Sequence, residues 1–126
     1  MPGRILVIED NEQNMYLTTF ILEQHGHSVY QAWDGHAGIE LAGQVKPDLI
    51  LLDIQLPVMD GYQVAQALRR EPVLVDVPIV AVTSYAMLGD RERILAAGCT
   101  GYLEKPINPD TFITDIEQYL PDHLQS

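Results

Sequence analysis

Three short runs of uninterrupted apolar residues restrict the possible folds of this chain more than any other feature. They are Ile5–Ile8, Leu49–Leu52 and Ile79–Val82. A strand at a surface alternates apolar and polar residues, whereas a strand covered on both faces is apolar throughout. The runs therefore predict parallel strands inside a sheet with helices on both sides. Two weaker segments, Ser28–Ala32 and Gly101–Leu103, are typical of edge strands.

Segments with helical periodicity separate the strands, and the clearest apolar stripe consists of Phe112, Ile113, Ile116, Tyr119 and Leu120. Gly26 and Gly98 follow such segments, where a left-handed residue ends a helix. Asn108 is predicted to cap the last helix. The segment Met87–Ala97 has a charged centre and few apolar residues, which predicts a loosely held helix. The alternation predicts an α/β fold, a doubly wound parallel sheet of five strands with five helices.

Composition limits the size, location and partners of the protein. The 126 residues suit one domain, and we expect a single domain over 1–126 with no effector domain. Acidic residues outnumber basic ones 18 to 7, and the net charge of −11 argues against direct binding of nucleic acid. No apolar run is long enough for a signal peptide or for membrane insertion, so we expect a cytoplasmic protein.

The cysteine and the histidines give no sign of a metal site. Cys99 is the only cysteine, which permits no disulfide within the chain, and it is predicted to be a small buried thiol. The four histidines, at positions 25, 27, 36 and 123, show no metal-ligand spacing. His25 and His27 flank a glycine that ends a helix, so we expect both to be solvated turn residues.

Polar residues with chemical potential follow four of the five predicted strands. They are Glu9, Asp10, Asp53, Thr83 and Lys105. In a doubly wound sheet, ligands bind beyond the carboxyl ends of the strands. If the first, third, fourth and fifth strands are neighbours, three carboxylates, a hydroxyl and an ammonium converge there. Clustered carboxylates repel one another unless a cation lies among them, and Mg²⁺ is a hard cation that prefers oxygen ligands.

Each of these residues also has an ordinary explanation when it is taken alone. Glu9 and Asp10 could cap the following helix, and Asp53 could be a turn residue. Thr83 could be a capping hydroxyl, and Lys105 a solvated surface charge. Their joint position at four strand ends favours the chemical interpretation.

Four sequence blocks, each containing one of these strand ends, resemble the successive motifs of a response-regulator receiver domain. They are residues 5–11, 47–61, 78–84 and 97–106, in order and with similar spacing. The resemblance covers nearly the whole chain and is greatest to stand-alone receivers of the CheY and DivK kind. It implies the flavodoxin-like or CheY-like strand order 2-1-3-4-5.

The resemblance implies a phosphorylation-dependent switch in a two-component phosphorelay. Asp53 would accept a phosphoryl group from a phosphohistidine on a sensor histidine kinase or a histidine phosphotransfer protein. Mg²⁺ would be held directly by Asp10, Asp53 and the backbone carbonyl of Gln55, and by Glu9 through water. Lys105 would pair with the phosphoryl oxygens, with Pro106 after a cis peptide bond.

The same resemblance implies how such a signal would leave the site. Thr83 would move toward the phosphoryl group, and Tyr102 would swing inward into the space that Thr83 vacates. A downstream protein target would bind the surface of the fourth helix, the fifth strand and the last helix. Tyr85 is predicted to shield the acyl phosphate from water, and Trp33 is predicted either to cover the edge of the first strand or to face a partner.

Three other classes of protein could use parts of this pattern. An aspartate-nucleophile phosphatase would need a second acid where Gln55 stands and room for a cap domain. A flavodoxin-like flavin binder needs a Gly-, Ser- or Thr-rich loop where Glu9 and Asp10 stand. An interaction module without phosphorylation would not need the complete residue set. The resemblance to receiver domains implies no enzyme activity beyond promotion of the protein's own phosphorylation and dephosphorylation.

Overall fold

The strands and helices alternate along the part of the chain that the structure describes, as the sequence predicted. The structure is a computed structural model that describes residues 3–84, 88–121 and 124, with Leu88 described by its backbone alone. The strands are β1 Arg4–Ile8, β2 Ser28–Ala32, β3 Leu49–Asp53, β4 Ile79–Thr83 and β5 Gly101–Glu104. The α-helices are α1 Glu12–Gln24, α2 Gly35–Val45, α3 Gly61–Arg69, α4 Leu88–Ala96 and α5 Phe112–Glu117.

All five strands are parallel, and their order is β2-β1-β3-β4-β5. This order confirms the prediction, and it places the two weakly apolar strands at the edges. The strands β3 and β4 are buried along their full length because helices cover both faces. The alternation of side chains divides the core into two layers, one containing Leu6, Ile50 and Ala81 and the other containing Val7, Leu51 and Val82.

The helix ends follow local sequence signals. Gly26 and Gly98 have φ of 86° and 108°, which confirms the predicted left-handed positions. Asp60 accepts the Gln63 amide and the Gln63 side chain accepts the Asp60 amide, which forms a capping box at the start of α3. The helix α4 buries only Ile94 among its described side chains, which confirms that few apolar contacts hold it.

Two predicted features differ in the structure. The last helix begins at Phe112 and not directly after Asn108, because residues 109–111 form a turn that Asn108 closes by accepting the Asp110 amide. His27 is 4 % exposed and is not a solvated turn residue. Its Nδ1 accepts the Gly3 amide at 3.0 Å, and its Nε2 lies 3.3 Å from Oε2 of Glu117, so both ring nitrogens have partners away from water. His25 is exposed, as predicted.

The guanidinium of Arg69 connects several loops at the end of the sheet where the strands begin. Arg69 donates from Nε to the Gly98 carbonyl at 2.7 Å and from Nη1 to the Leu74 and Val77 carbonyls at 2.9 and 2.6 Å. These bonds join the end of α3, the short 3-10 helix Pro72–Leu74 and the turn after α4. Cys99 is buried beside them, and burial raises the pKa of its thiol to about 11. Within the described residues, no helix combines the length and the hydropathy that a bilayer crossing requires.

Candidate functional site

Three carboxylates meet at the carboxyl ends of β1 and β3, which are hydrogen-bonded neighbours. Glu9 and Asp10 follow β1, and Asp53 is the last residue of β3. Each can place one carboxylate oxygen within 4.8 Å of the others. Glu9 and Asp53 are buried and Asp10 is exposed, so the cluster opens to solvent on one side. The structure therefore brings together the acids that the sequence predicted to converge.

Lys105 is the only cation in this cluster among the described residues. Its Nζ lies 3.0 Å from Oδ1 of Asp53 and 4.0 Å from Oε1 of Glu9. The lysine follows β5, where its amide donates to the Thr83 carbonyl at 2.8 Å, and its bond to Pro106 is cis as predicted. Oδ1 of Asp53 also accepts the Gln55 amide at 2.9 Å. A charge-assisted pair and a backbone donor thus fix the carboxylate of Asp53.

The pKa of Glu9 reflects both its burial and the negative charge of Asp53. Burial, a hydrogen bond with Asp53 and the charge of Asp53 together raise the pKa of Glu9 from 4.5 to about 8. The Asn11 amide, 3.2 Å from Oε2, and the Lys105 ammonium act in the opposite direction but are weaker. Without another cation, Glu9 therefore tends to keep a proton near neutral pH. The donor set fits Mg²⁺, because clustered carboxylate oxygens open to water are its usual ligands.

The two residues predicted to act as a switch lie on the face of the sheet that carries Leu6, Ile50 and Ala81. Thr83 ends β4 and is buried. Tyr102 is half-buried and pairs in register with Ala81, two residues before Thr83, so both side chains point to the same face. The Arg91 guanidinium of α4 lies 5.5 Å from the centroid of the Tyr102 ring. The predicted pair thus shares one face of the sheet, with Tyr102 two residues below the level of Thr83 and in contact with Arg91 of α4.

Residues that the sequence reasoning did not single out support the position of Asp53. A Cβ on Gly61 would lie 2.7 Å from the Asp53 carbonyl oxygen and would also collide with the Ile54 backbone. Only glycine therefore lets the start of α3 pack against the end of β3. The Asp60-x-x-Gln63 spacing was the available signal for this helix start. Tyr85 lies outside the described residues, and Gln55 is exposed.

The enclosed space beside Asp53 and Lys105 is small, about 10 Å³. This volume is close to the minimum that one water molecule needs. Its lining includes apolar side chains such as Val7, Leu51 and Val82 and does not include Asp10. The acids open to solvent on the side of Asp10.

Comparison with known families identifies this architecture, with residues 5–117 matching the response regulator receiver domain. The polar-differentiation response regulator DivK of Brucella anthropi is 42 % identical over 122 residues, covering 97 % of this chain and 99 % of DivK. The chemotaxis protein CheY4 of Vibrio cholerae has a TM-score of 0.91 at 27 % identity, covering 95 % of this chain and 100 % of that structure.

The structure of a third relative contains a metal ion. The receiver domain of a sensor histidine kinase from Pseudomonas aeruginosa is 34 % identical, with a TM-score of 0.86 over 94 % of this chain and 98 % of that chain. That structure has a magnesium ion coordinated in its active-site cleft.

These matches and the fold show that the chain belongs to the response regulator receiver family. The protein is a DivK-like response regulator, a phosphorylation-dependent switch of two-component signalling. The family binds Mg²⁺ in an acidic pocket, and the described residues contain such a cluster. Receiver domains generally interact with histidine kinases and with downstream targets.

Proposed function

We propose that Asp53 is the phosphoacceptor of this protein and that the acids around it hold Mg²⁺. The supporting observation is the 3.0 Å contact between Lys105 Nζ and Asp53 Oδ1 inside a cluster of three carboxylates. Asp10, Asp53 and the Gln55 carbonyl would hold the ion directly, and Glu9 would act through water. The bound ion supplies neutralisation of the charge on the phosphoryl oxygens.

The chemical step is the transfer of a phosphoryl group from a histidine nitrogen. A carboxylate oxygen of Asp53 forms a bond to phosphorus while the bond from phosphorus to the imidazole nitrogen breaks, and the electron pair stays with that nitrogen. Lys105 then shifts from the carboxylate to the phosphoryl oxygens, which carry between one and two additional negative charges. The donor is a sensor histidine kinase or a histidine phosphotransfer protein.

The added phosphoryl charge affects the protein surface by way of Thr83 at the end of the fourth strand. The Thr83 hydroxyl donates to a phosphoryl oxygen, and the side chain of Tyr102 turns toward the space that Thr83 leaves. Because Arg91 lies over the Tyr102 ring, this movement removes one of the few contacts that hold α4. We propose that a downstream protein binds the face formed by α4, β5 and α5, and that catalysis is limited to forming and hydrolysing the protein's own acyl phosphate.

Phosphoramidate tests this proposal because it carries the same phosphorus–nitrogen bond as phosphohistidine. The wild type should be phosphorylated with Mg²⁺ and not with a chelator, and a phosphate-affinity gel separates the two forms. Asp53→Asn should not be modified, whereas Asp76→Asn, a change to an exposed acid at the other end of the sheet, should behave as the wild type. Equal modification of Asp53→Asn and the wild type would contradict the proposal, and sustained hydrolysis of phosphomonoesters would favour a phosphatase.

A further inference from the structure

An open apolar groove lies between the loop that follows β2 and the loop that follows β3. Its volume is about 350 Å³, and its walls include Trp33, His36, Pro57, Val58 and Met59. Trp33 is 45 % exposed and Val58 is 99 % exposed, although both are apolar. The phosphoacceptor site described above uses none of these side chains. Trp33, for which we predicted either a cover over the first strand's edge or a contact with a partner, forms part of this groove.

The backbone at Val58 adopts a strained conformation that places this residue at the groove. Its φ is 67°, in the left-handed region that a β-branched residue rarely adopts. The Met59 amide donates to the Pro57 carbonyl at 2.7 Å, so Val58 lies at the tip of a tight three-residue turn. Strain of this kind occurs at sites that bind ligands or partners, and here it presents an apolar side chain to water.

Acidic side chains lie at and beside the groove. Asp34 lines the groove, and Asp60 follows Met59 directly; both carboxylates are exposed at the starts of helices α2 and α3. Among the described residues that line the groove there is no lysine or arginine. The net charge of the chain is −11, which attracts cations and disfavours a second copy of the same chain.

We propose that this groove binds a basic amphipathic segment of a protein partner. A large apolar side chain of the segment would insert between Trp33 and Val58, and its lysine or arginine residues would lie near Asp34 and Asp60. The apolar walls supply the affinity, while the acids select a cationic segment and accelerate its approach. This binding goes beyond phosphoryl acceptance at Asp53 and does not depend on it.

Trp33 is the only tryptophan of the chain, so its fluorescence reports on the groove directly. The probe is a synthetic helical peptide that lacks tryptophan and has leucine and phenylalanine on one face and lysine on the other. With the wild-type protein we expect a saturable blue shift of the Trp33 emission. With Val58→Asp we expect the peptide to bind at least about tenfold more weakly, because an apolar contact at the centre of the groove is lost.

Two further variants distinguish peptide binding in the groove from general charge attraction and from misfolding of the variant. Val75→Asp adds the same charge at an exposed valine on the other end of the sheet, and it should bind the peptide at least as well as the wild type. Val58→Gly relieves the backbone strain, so it should raise the melting temperature and still weaken peptide binding. Stronger binding by Val58→Asp would show simple charge attraction and would overturn the proposal. An unchanged Trp33 emission, or a shift that depends on protein concentration without peptide, would also overturn it.

Discussion

Glu9 offers the most quantitative test of the electrostatics at the site. Its pKa is raised from 4.5 to about 8 by burial and by Asp53. Because the folded value lies above the unfolded one, the folded protein keeps a proton that the unfolded chain releases. The associated stability is fully present below about pH 4.5 and is lost as the pH rises through about 8.

The expected size of this effect follows from proton linkage. Each pH unit between the two pKa values lowers the free energy of unfolding by at most about 1.4 kcal/mol per proton. Raising the pH from about 6 to about 8 in a metal-free buffer should therefore destabilise the wild type by roughly 2 kcal/mol. Glu9→Gln carries no ionisable group at this position, so its stability should change much less over the same range.

Urea unfolding followed by circular dichroism measures this difference. We expect Glu9→Gln to be more stable than the wild type at about pH 8 and to lose that advantage toward lower pH. Saturating Mg²⁺ should flatten the pH dependence of the wild type, because a bound cation favours the ionised acids. Glu23→Gln changes an exposed acid on α1 and should leave the slope unaltered. Parallel pH dependences of the wild type and Glu9→Gln would refute the reasoning.

Two further predictions concern the elements around the site. Gly61→Ala should lower the free energy of unfolding by about 1–3 kcal/mol, because the added methyl group meets the backbone at the end of β3. Gly43→Ala lies in open space on α2 and should raise the free energy of unfolding by about 0.5–1 kcal/mol. Urea unfolding measures both changes. Arg91→Met should weaken the contact between α4 and Tyr102 and raise hydrogen exchange along α4, at a cost of about 0.5–1 kcal/mol. Glu92→Gln, a change to an exposed side chain of the same helix, is the control, and equal hydrogen exchange along α4 in the two variants would contradict the specific role of Arg91.

The sheet could be predicted from the sequence because its signals are local. Continuous apolar runs such as Leu49–Leu52 indicate burial on both faces, and parallel strands end at the same edge of a sheet. The convergence of Glu9, Asp53 and Lys105 follows from that rule once the strand order is known. The order itself came from the family resemblance and not from the residues.

Other features depend on partners that are far apart in the chain. The burial of His27 needs Gly3 and Glu117, the second of which is 90 residues away. Arg69 similarly finds carbonyls in two separate segments, residues 74–77 and the turn at Gly98. The left-handed backbone at Val58 runs against the preference of its own side chain, so a residue-by-residue reading assigns it the wrong conformation.

The central claim, that Asp53 is the phosphoacceptor, is tested most directly by intact mass after incubation with acetyl phosphate and Mg²⁺. The wild type should gain one phosphoryl group, which peptide mapping should place on Asp53, and Asp53→Ala should gain none. Circular dichroism establishes that the variant is folded. A phosphoryl group on Asp53→Ala at a rate similar to the wild type would contradict the account.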